Sequence, residues 1–278
     1  MDSKTPKLID IDGVLKSKNP TAAKWIPKFL ISYLKRIIHQ EEINQFLVKN
    51  GHLYGIEFTS AIIRDFNITY HLKGISRVPK EGRYIFAANH PLGGLDGVIL
   101  MDAIAKNFNE VKFPVNDILM NLDNLKPLFL PINKHGSQTQ ESAEKLENAY
   151  KSYDQILMFP AGLVSRKNGN AIKDLEWKRN FVKKAIEHKR DIVPVFIEGK
   201  NSKFFYNLAH WRKKLGIKIN LEMLYLVDEL FKQKNAEITL TFGKPIKWED
   251  LKKEKNLNKT AEKIKEKVYD LEKRGFER

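Results

Sequence analysis

Six short apolar runs, interleaved with stretches of helical spacing, restrict this chain more than any other feature does. They are RYIFAAN (83 to 89), VKFPV (111 to 115), PLFLPI (127 to 132), QILMFP (155 to 160), DIVPVFI (191 to 197) and AEITLTFG (236 to 243). None reaches the ~10–12 residues that a buried helix needs, and most are apolar on successive residues, so both faces of such strands must be covered. The segments between them, TQESAEKLENAYKSY and WKRNFVKKAIEHK among them, repeat apolar residues three and four apart, as helices packed on a sheet do. AEITLTFG and NITYHLKG instead alternate, with Ile238, Leu240 and Phe242 on one face of the former and Ile68, Tyr70 and Leu72 on one face of the latter. The pattern predicts an α/β fold with a mixed, mostly parallel sheet flanked by helices.

Ahead of that sheet, residues 20 to 39 place Ala22, Trp25, Ile26, Phe29, Leu30, Tyr33, Leu34 and Ile37 at helical spacing, with Lys24, Lys28, Lys35 and Arg36 among them. This reads as a basic amphipathic helix kinked at Pro27, followed by a second helical stretch over residues 41 to 64. The expected organisation is an N-terminal amphipathic helical extension, residues 1–65, facing a membrane, and a main domain, residues 66–278. The apolar stripe can pack on the domain, or lie in a bilayer interface where Trp25 and Phe29 are buried and the bases meet anionic lipid. MDSKTPKLIDIDG lacks the charged-then-apolar order of a signal peptide, and no apolar run approaches the ~20 residues that span a bilayer. The expected location is therefore peripheral, on the cytoplasmic face of the inner membrane.

Forty-nine Lys and Arg against 34 Asp and Glu leave a net charge of +15, which selects anionic partners. Nucleic acid is not expected among them, because no recognition motif is present and the bases are dispersed among acids. The absence of cysteine excludes disulfides, zinc-thiolate sites and a thiol nucleophile. No metal site is expected.

Ligands of such sheets gather at the carboxyl ends of the strands, and two loops there are unusual. The first, Asn89, His90, Pro91, Leu92, Gly93, Gly94, Leu95, Asp96 and Gly97, brings a His, an Asp and three glycines together after one strand. Asp96 is suited to start the next helix, and it can also accept a hydrogen bond from one imidazole nitrogen of His90 and so fix the tautomer that leaves the other nitrogen basic. The G-x-S-x-G elbow of serine hydrolases is absent, so the base would act on a hydroxyl of the substrate rather than on an enzyme serine. The second loop, after QILMFP, carries Gly162, Ser165, Arg166 and Lys167, with cationic donors for a phosphate or carboxylate.

Taken in order, NHPLGGLDG, LPINKHG, MFPAGLVSR, IVPVFIEGKNS and FGKPI resemble the motifs of the glycerol-3-phosphate and lysophosphatidate acyltransferase family over roughly residues 70 to 250. Asn89 and His90 match the first motif of that family, N-H-x-x-x-x-D. Lys134 falls where the second motif has an arginine. Phe159, Pro160, Gly162, Ser165 and Arg166 follow the third, F-P-E-G-T-R-S, and Pro194 sits in the fourth. The sequence departs from the pattern in three places: five residues rather than four separate His90 from Asp96, Ala161 stands where the third motif has a glutamate, and two residues rather than one lie between Gly162 and Ser165. With GKNSKFFYNLA, this variant is similar to the branch of ornithine-lipid and glycine-lipid O-acyltransferases, sometimes labelled hemolysin-like.

The resemblance implies an O-acyltransferase that moves a fatty acyl group from a thioester, acyl-CoA or acyl carrier protein, to the hydroxyl of a lyso-lipid, here a lyso-aminolipid whose 3-hydroxyacyl chain sits on an amino acid. His90 and Asp96 are the implied catalytic pair. Asn89, Lys134, Phe159, Pro160, Gly162, Ser165 and Arg166 are the implied substrate-binding residues, with Lys134 and Arg166 on the acceptor's anionic group and amides near Gly162 as oxyanion donors. No cofactor beyond the co-substrate is implied. Two alternatives stay open, a 1-acylglycerol-3-phosphate acyltransferase of phospholipid synthesis and a non-catalytic, hemolysin-like membrane-binding protein.

Overall fold

The computed structural model describes residues 8–18, 20–108, 110–116, 119–132, 139–169 and 171–274. Five helices come first: α1 (Ile11–Lys18), α2 (Pro20–Trp25), α3 (Lys28–Ile37), α4 (Gln40–Asn50) and α5 (Gly55–Asp65). The remainder alternates, through β1 (Thr69–Lys73), β2 (Tyr84–Ala88), α6 (Gly94–Asn107), β3 (Val111–Val115), β4 (Phe129–Pro131), α7 (Gln140–Lys151) and β5 (Gln155–Met158). After a short hairpin, β6 (Arg166–Asn168) and β7 (Ala171–Lys173), come α8 (Asn180–Glu187), β8 (Asp191–Ile197), α9 (Lys203–Lys214), α10 (Leu226–Phe231), β9 (Glu237–Phe242), α11 (Trp248–Lys252) and α12 (Leu257–Arg274).

Seven strands form one sheet in the order β1-β9-β8-β2-β5-β3-β4. Every neighbouring pair is parallel except β8 and β9, so the sheet is mixed and mostly parallel, as the apolar runs predict. The period-two rule is visible in the central strand β2: Phe86 and Ala88 enter a core beneath α5 and α6, while Ile85 and Ala87 enter a second core against α8 and α12. All five β2 residues are buried. α5 lies before residue 66 in sequence, yet its Phe58 and Ile63 belong to the first of these cores.

The single helix expected over residues 20 to 39 is two, because Pro27 closes the first and takes the N-cap position of the second. The stretch over residues 41 to 64 also divides, at a turn where Gly55 adopts φ +57°. The hairpin β6–β7 was not anticipated. Its signal in the sequence is Asn168-Gly169, and Gly169 takes φ +60° there. Arg190, fully buried, donates to the carbonyls of Ala149, Tyr150, Ser152 and Asp154 at 2.6 to 2.9 Å and so satisfies the end of α7. Burial pushes its guanidinium down to about 10. No helix among the described residues is long and apolar enough to cross a membrane.

Candidate active site

β2 and β8 run side by side in the same direction, so the loops that leave them meet. Asn89 fixes the meeting: its Nδ2 donates to the Ile197 carbonyl at 2.9 Å, and the Ile197 N–H donates to its Oδ1 at 2.7 Å. One carboxamide thus brackets the N–H and C=O of a single extended residue.

His90 follows at the mouth of this junction, with its side chain 17% exposed. Its Nδ1 lies 2.9 Å from Asp96 Oδ2, an oxygen that also accepts from the N–H groups of Leu92 at 2.8 Å and Gly93 at 3.1 Å. Asp96 sits in the first turn of α6 and is fully buried, where the helix N-terminus favours a negative charge. Burial pushes its carboxyl up, and the hydrogen bonds from His90, Leu92 and Gly93 act in the opposite direction. Its Oδ1 is buried without a hydrogen-bond partner among the described residues. The five-residue spacing closes because Gly93 takes φ +82° and ψ −130°, a conformation that strains any other residue, and because a Cβ there would come within 3.2 Å of Leu226. Asp102, one further turn along α6 and then another, faces elsewhere and is held by Ser60, Tyr70 and Lys106.

The loop after β5 packs on the same imidazole. The Phe159 ring stacks on His90 with centroids 4.2 Å apart and 15° between planes, which sets the ring orientation that Asp96 sets from its other edge. Pro160 and Ala161 are buried in the turn beyond it, where Gly162 has φ +66° and its N–H donates to the Phe159 carbonyl at 2.9 Å. The Gly162 amide is therefore engaged in the turn. A cleft of about 550 Å³ opens beside the turn, with Leu175, Lys178 and Arg179 on its other side. The Lys178 ammonium lies 4.0 Å from where a Gly162 Cβ would stand.

Ser165 is buried rather than presented to the cleft. Its N–H donates to the His90 carbonyl at 2.8 Å, and its hydroxyl donates to Asp174 at 2.6 Å. Asp174 also accepts from the His90 N–H at 3.1 Å and from the Trp177 indole at 2.9 Å, so one carboxylate ties the His90 loop to the loop after β5.

Arg166 does not stand free. It pairs with buried Glu222 at 3.1 Å, donates to the Val164 carbonyl at 2.9 Å and lies over the Phe205 ring. Arg212 pairs with the same carboxylate at 2.8 Å. Among the described residues two guanidiniums thus share one carboxylate, which leaves one positive charge in excess of it in a half-buried position. Lys134 lies outside the described residues. The structure brings His90, Asp96, Phe159 and the Ser165–Asp174 link into contact, places Arg166 one residue beyond them, and assigns Asn89 to the junction of β2 and β8.

Sequence reasoning missed Asp174, Lys178, Arg212 and Glu222. The local patterns AIKDLEWK and HWRKK hold nothing that separates them from surface charge. A weak signal exists for Asp174, an acid beside Leu175 and Trp177 after a strand-like AIK.

A protein-family model described as acyltransferase matches residues 13–275 of the chain. The lyso-glycine lipid O-acyltransferase of Bacteroides thetaiotaomicron is 49% identical to it over 265 residues, which cover 95% of this chain and 97% of that protein. A protein of the same description from Phocaeicola vulgatus is 48% identical over 265 residues, 95% of each. Among solved structures, the 1-acyl-sn-glycerophosphate acyltransferase of Thermotoga maritima aligns with a TM-score of 0.47 and 16% identity, covering 89% of this chain and 93% of that one.

Proposed function

The chain belongs to this acyltransferase family and is an enzyme, and we propose that it transfers a fatty acyl group from a thioester to the hydroxyl of a lyso-glycine lipid, with His90 as general base. The observation that carries the base assignment is the 2.9 Å contact between His90 Nδ1 and Asp96 Oδ2. The contact supports Nδ1 as the protonated nitrogen, with the lone pair on Nε2, on a ring that remains partly exposed.

Nε2 takes the proton of the acceptor hydroxyl as its oxygen attacks the thioester carbonyl. The C–S bond then breaks, and the imidazolium returns the proton to the departing thiolate. No acyl-enzyme forms. The Asp96 carboxylate holds the imidazolium between these steps, and Phe159 holds the plane of the ring. General-base action of this kind contributes about 10²–10⁴-fold.

The acceptor's carboxylate faces the surplus charge of Arg166 and Arg212 around Glu222. The donor is a thioester of coenzyme A or acyl carrier protein; it enters along the cleft beside Gly162, where Lys178 and Arg179 meet its phosphate. The protein works on the cytoplasmic face of the inner membrane, held there by α3 and α9. Trp25, Phe29, Trp211, Leu215 and Ile219 are 55 to 83% exposed on and beside these helices, among Lys28, Lys213, Lys214 and Lys218.

Purified protein given a labelled acyl thioester should acylate lyso-glycine lipid and leave lysophosphatidate unchanged. Acylation of lysophosphatidate in preference would refute the choice of acceptor. An undiminished rate in His90→Ala would remove the base from the mechanism.

A further inference from the structure

Two asparagines are buried among the described residues, Asn89 at 2% exposure and Asn201 at 4%. Both ends of the Asn89 carboxamide are satisfied by Ile197. Asn201 is its opposite: Nδ2 and Oδ1 are both buried, and neither has a hydrogen-bond partner among the described residues. Native structures leave very few such groups, and a carboxamide unpaired at both ends is unfavourable to folding, so it is poised to pair with a group from outside the chain.

Its position indicates which use. Asn201 lies in the loop that leaves β8 for α9, at the carboxyl end of the strand next to β2. Gly199 of that loop presses on Leu92, closely enough that a Cβ would come within 2.9 Å, and Leu92 is the residue whose N–H binds Asp96. On the other side the Asn201 N–H donates to the Tyr206 hydroxyl at 3.1 Å, and Tyr206 packs with Val164 and Phe205 beneath Arg166. The loop that bears this enclosed carboxamide therefore runs between the catalytic loop and the Tyr206–Phe205 pair beneath Arg166.

We infer that Asn201 is a specificity-determining residue that brackets the N–H and the carboxylate of an N-acylated glycine, which rests on the acceptor class proposed above. The Asn89 carboxamide does the same to Ile197, whose N–H and C=O point to one side of an extended residue. An N-acyl glycine is a single residue of that kind: its amide N–H donates to Oδ1, and a carboxylate oxygen accepts from Nδ2. A glycerol phosphate ester has no N–H to offer, so binding it would leave Oδ1 unpaired, and a site built around a hydrogen bond rejects the analogue that lacks it.

The test compares lyso-glycine lipid with the matching ester of glycolic acid, in which oxygen replaces the amide N–H. Wild-type enzyme should prefer the amide by about 100-fold in kcat/KM, through KM. Asn201→Leu, of the same branched shape and unable to hydrogen-bond, should reduce the preference to within about 3-fold while Tm rises, since an unpaired buried amide has been removed. Asn201→Asp should keep the preference for the N–H donor but raise KM for both acceptors more than 10-fold, because it repels their carboxylate. A preference that survives Asn201→Leu, or a lower Tm with equal losses on both acceptors, overturns the inference while leaving the proposed function standing. Failure of wild-type enzyme to acylate lyso-glycine lipid overturns both.

Discussion

Replacing Asp96 with asparagine should remove a charge and little else. Three donors converge on Oδ2, from His90, Leu92 and Gly93, while Oδ1 has no partner among the described residues. The amide oxygen of an asparagine will therefore occupy the Oδ2 position and its NH₂ the other. His90 keeps its tautomer, and only the counter-charge to the imidazolium is lost. At about 4 Å and an effective dielectric of about 20, that interaction is worth about 4 kcal/mol, and some of it is recovered by the neutral hydrogen bond that remains. The expected fall in kcat is about 10²–10³-fold, with the KM for the thioester unchanged. In a triad where the same substitution selects the wrong tautomer, the loss is about 10⁴-fold. Steady-state kinetics of acylated-lipid formation separate the two cases; a loss under about 10-fold, or one above about 10⁴-fold, would refute the reasoning. Stability moves the other way. Burial raises the Asp96 carboxyl above its unfolded value, so its contribution is fully present below the unfolded pKa and is lost as pH rises through the folded one. At pH 7 to 8 the asparagine variant should melt no lower than wild type.

Asn89→Ala should leave the Ile197 N–H and C=O buried and unpaired at about 1–3 kcal/mol each, a drop of roughly 5–15 °C in Tm that calorimetry will read directly. Glu222→Gln leaves Arg166 and Arg212 without their shared carboxylate and should destabilise by about 3–5 kcal/mol in urea titration; an unchanged midpoint would show that solvent already screens the pair. The double variant Trp25→Ser, Phe29→Ser touches side chains that are 83% and 75% exposed. It should not change Tm, while association with anionic vesicles in a sedimentation assay falls by about 10-fold or more.

What could be read from the chain alone follows sequence distance. His90 and Asp96 lie six residues apart, on the end of one strand and the first turn of the next helix, so local geometry alone brings them together. The strand β2 was legible because every residue of it is apolar, and the strands beside it for the same reason. Asp174 reaches His90 across 84 residues and Glu222 reaches Arg166 across 56, and at such distances an acid that will be buried beside a partner is spelled the same way as one that will face water. The reversed direction of β9 was hidden too, since its apolar alternation fits either neighbour equally well. Arg166 shows the converse. The motif order drew attention to its charge, and only the fold reveals that the charge is already shared.

The turn Leu221–Tyr225 joins two parts of the molecule. Glu222 in it holds Arg166 and Arg212, while Tyr225 touches the Tyr33 hydroxyl of α3 and the ring of Phe204 in α9. In the proposed function, the elements that settle on lipid and the charge that receives the headgroup are therefore one mechanical piece, and the acceptor would be met in two dimensions. Its effective concentration is then a mole fraction within the surface. Diluting the acceptor with inert lipid at constant bulk amount should slow the enzyme, whereas diluting the whole suspension should scarcely do so until the protein itself desorbs.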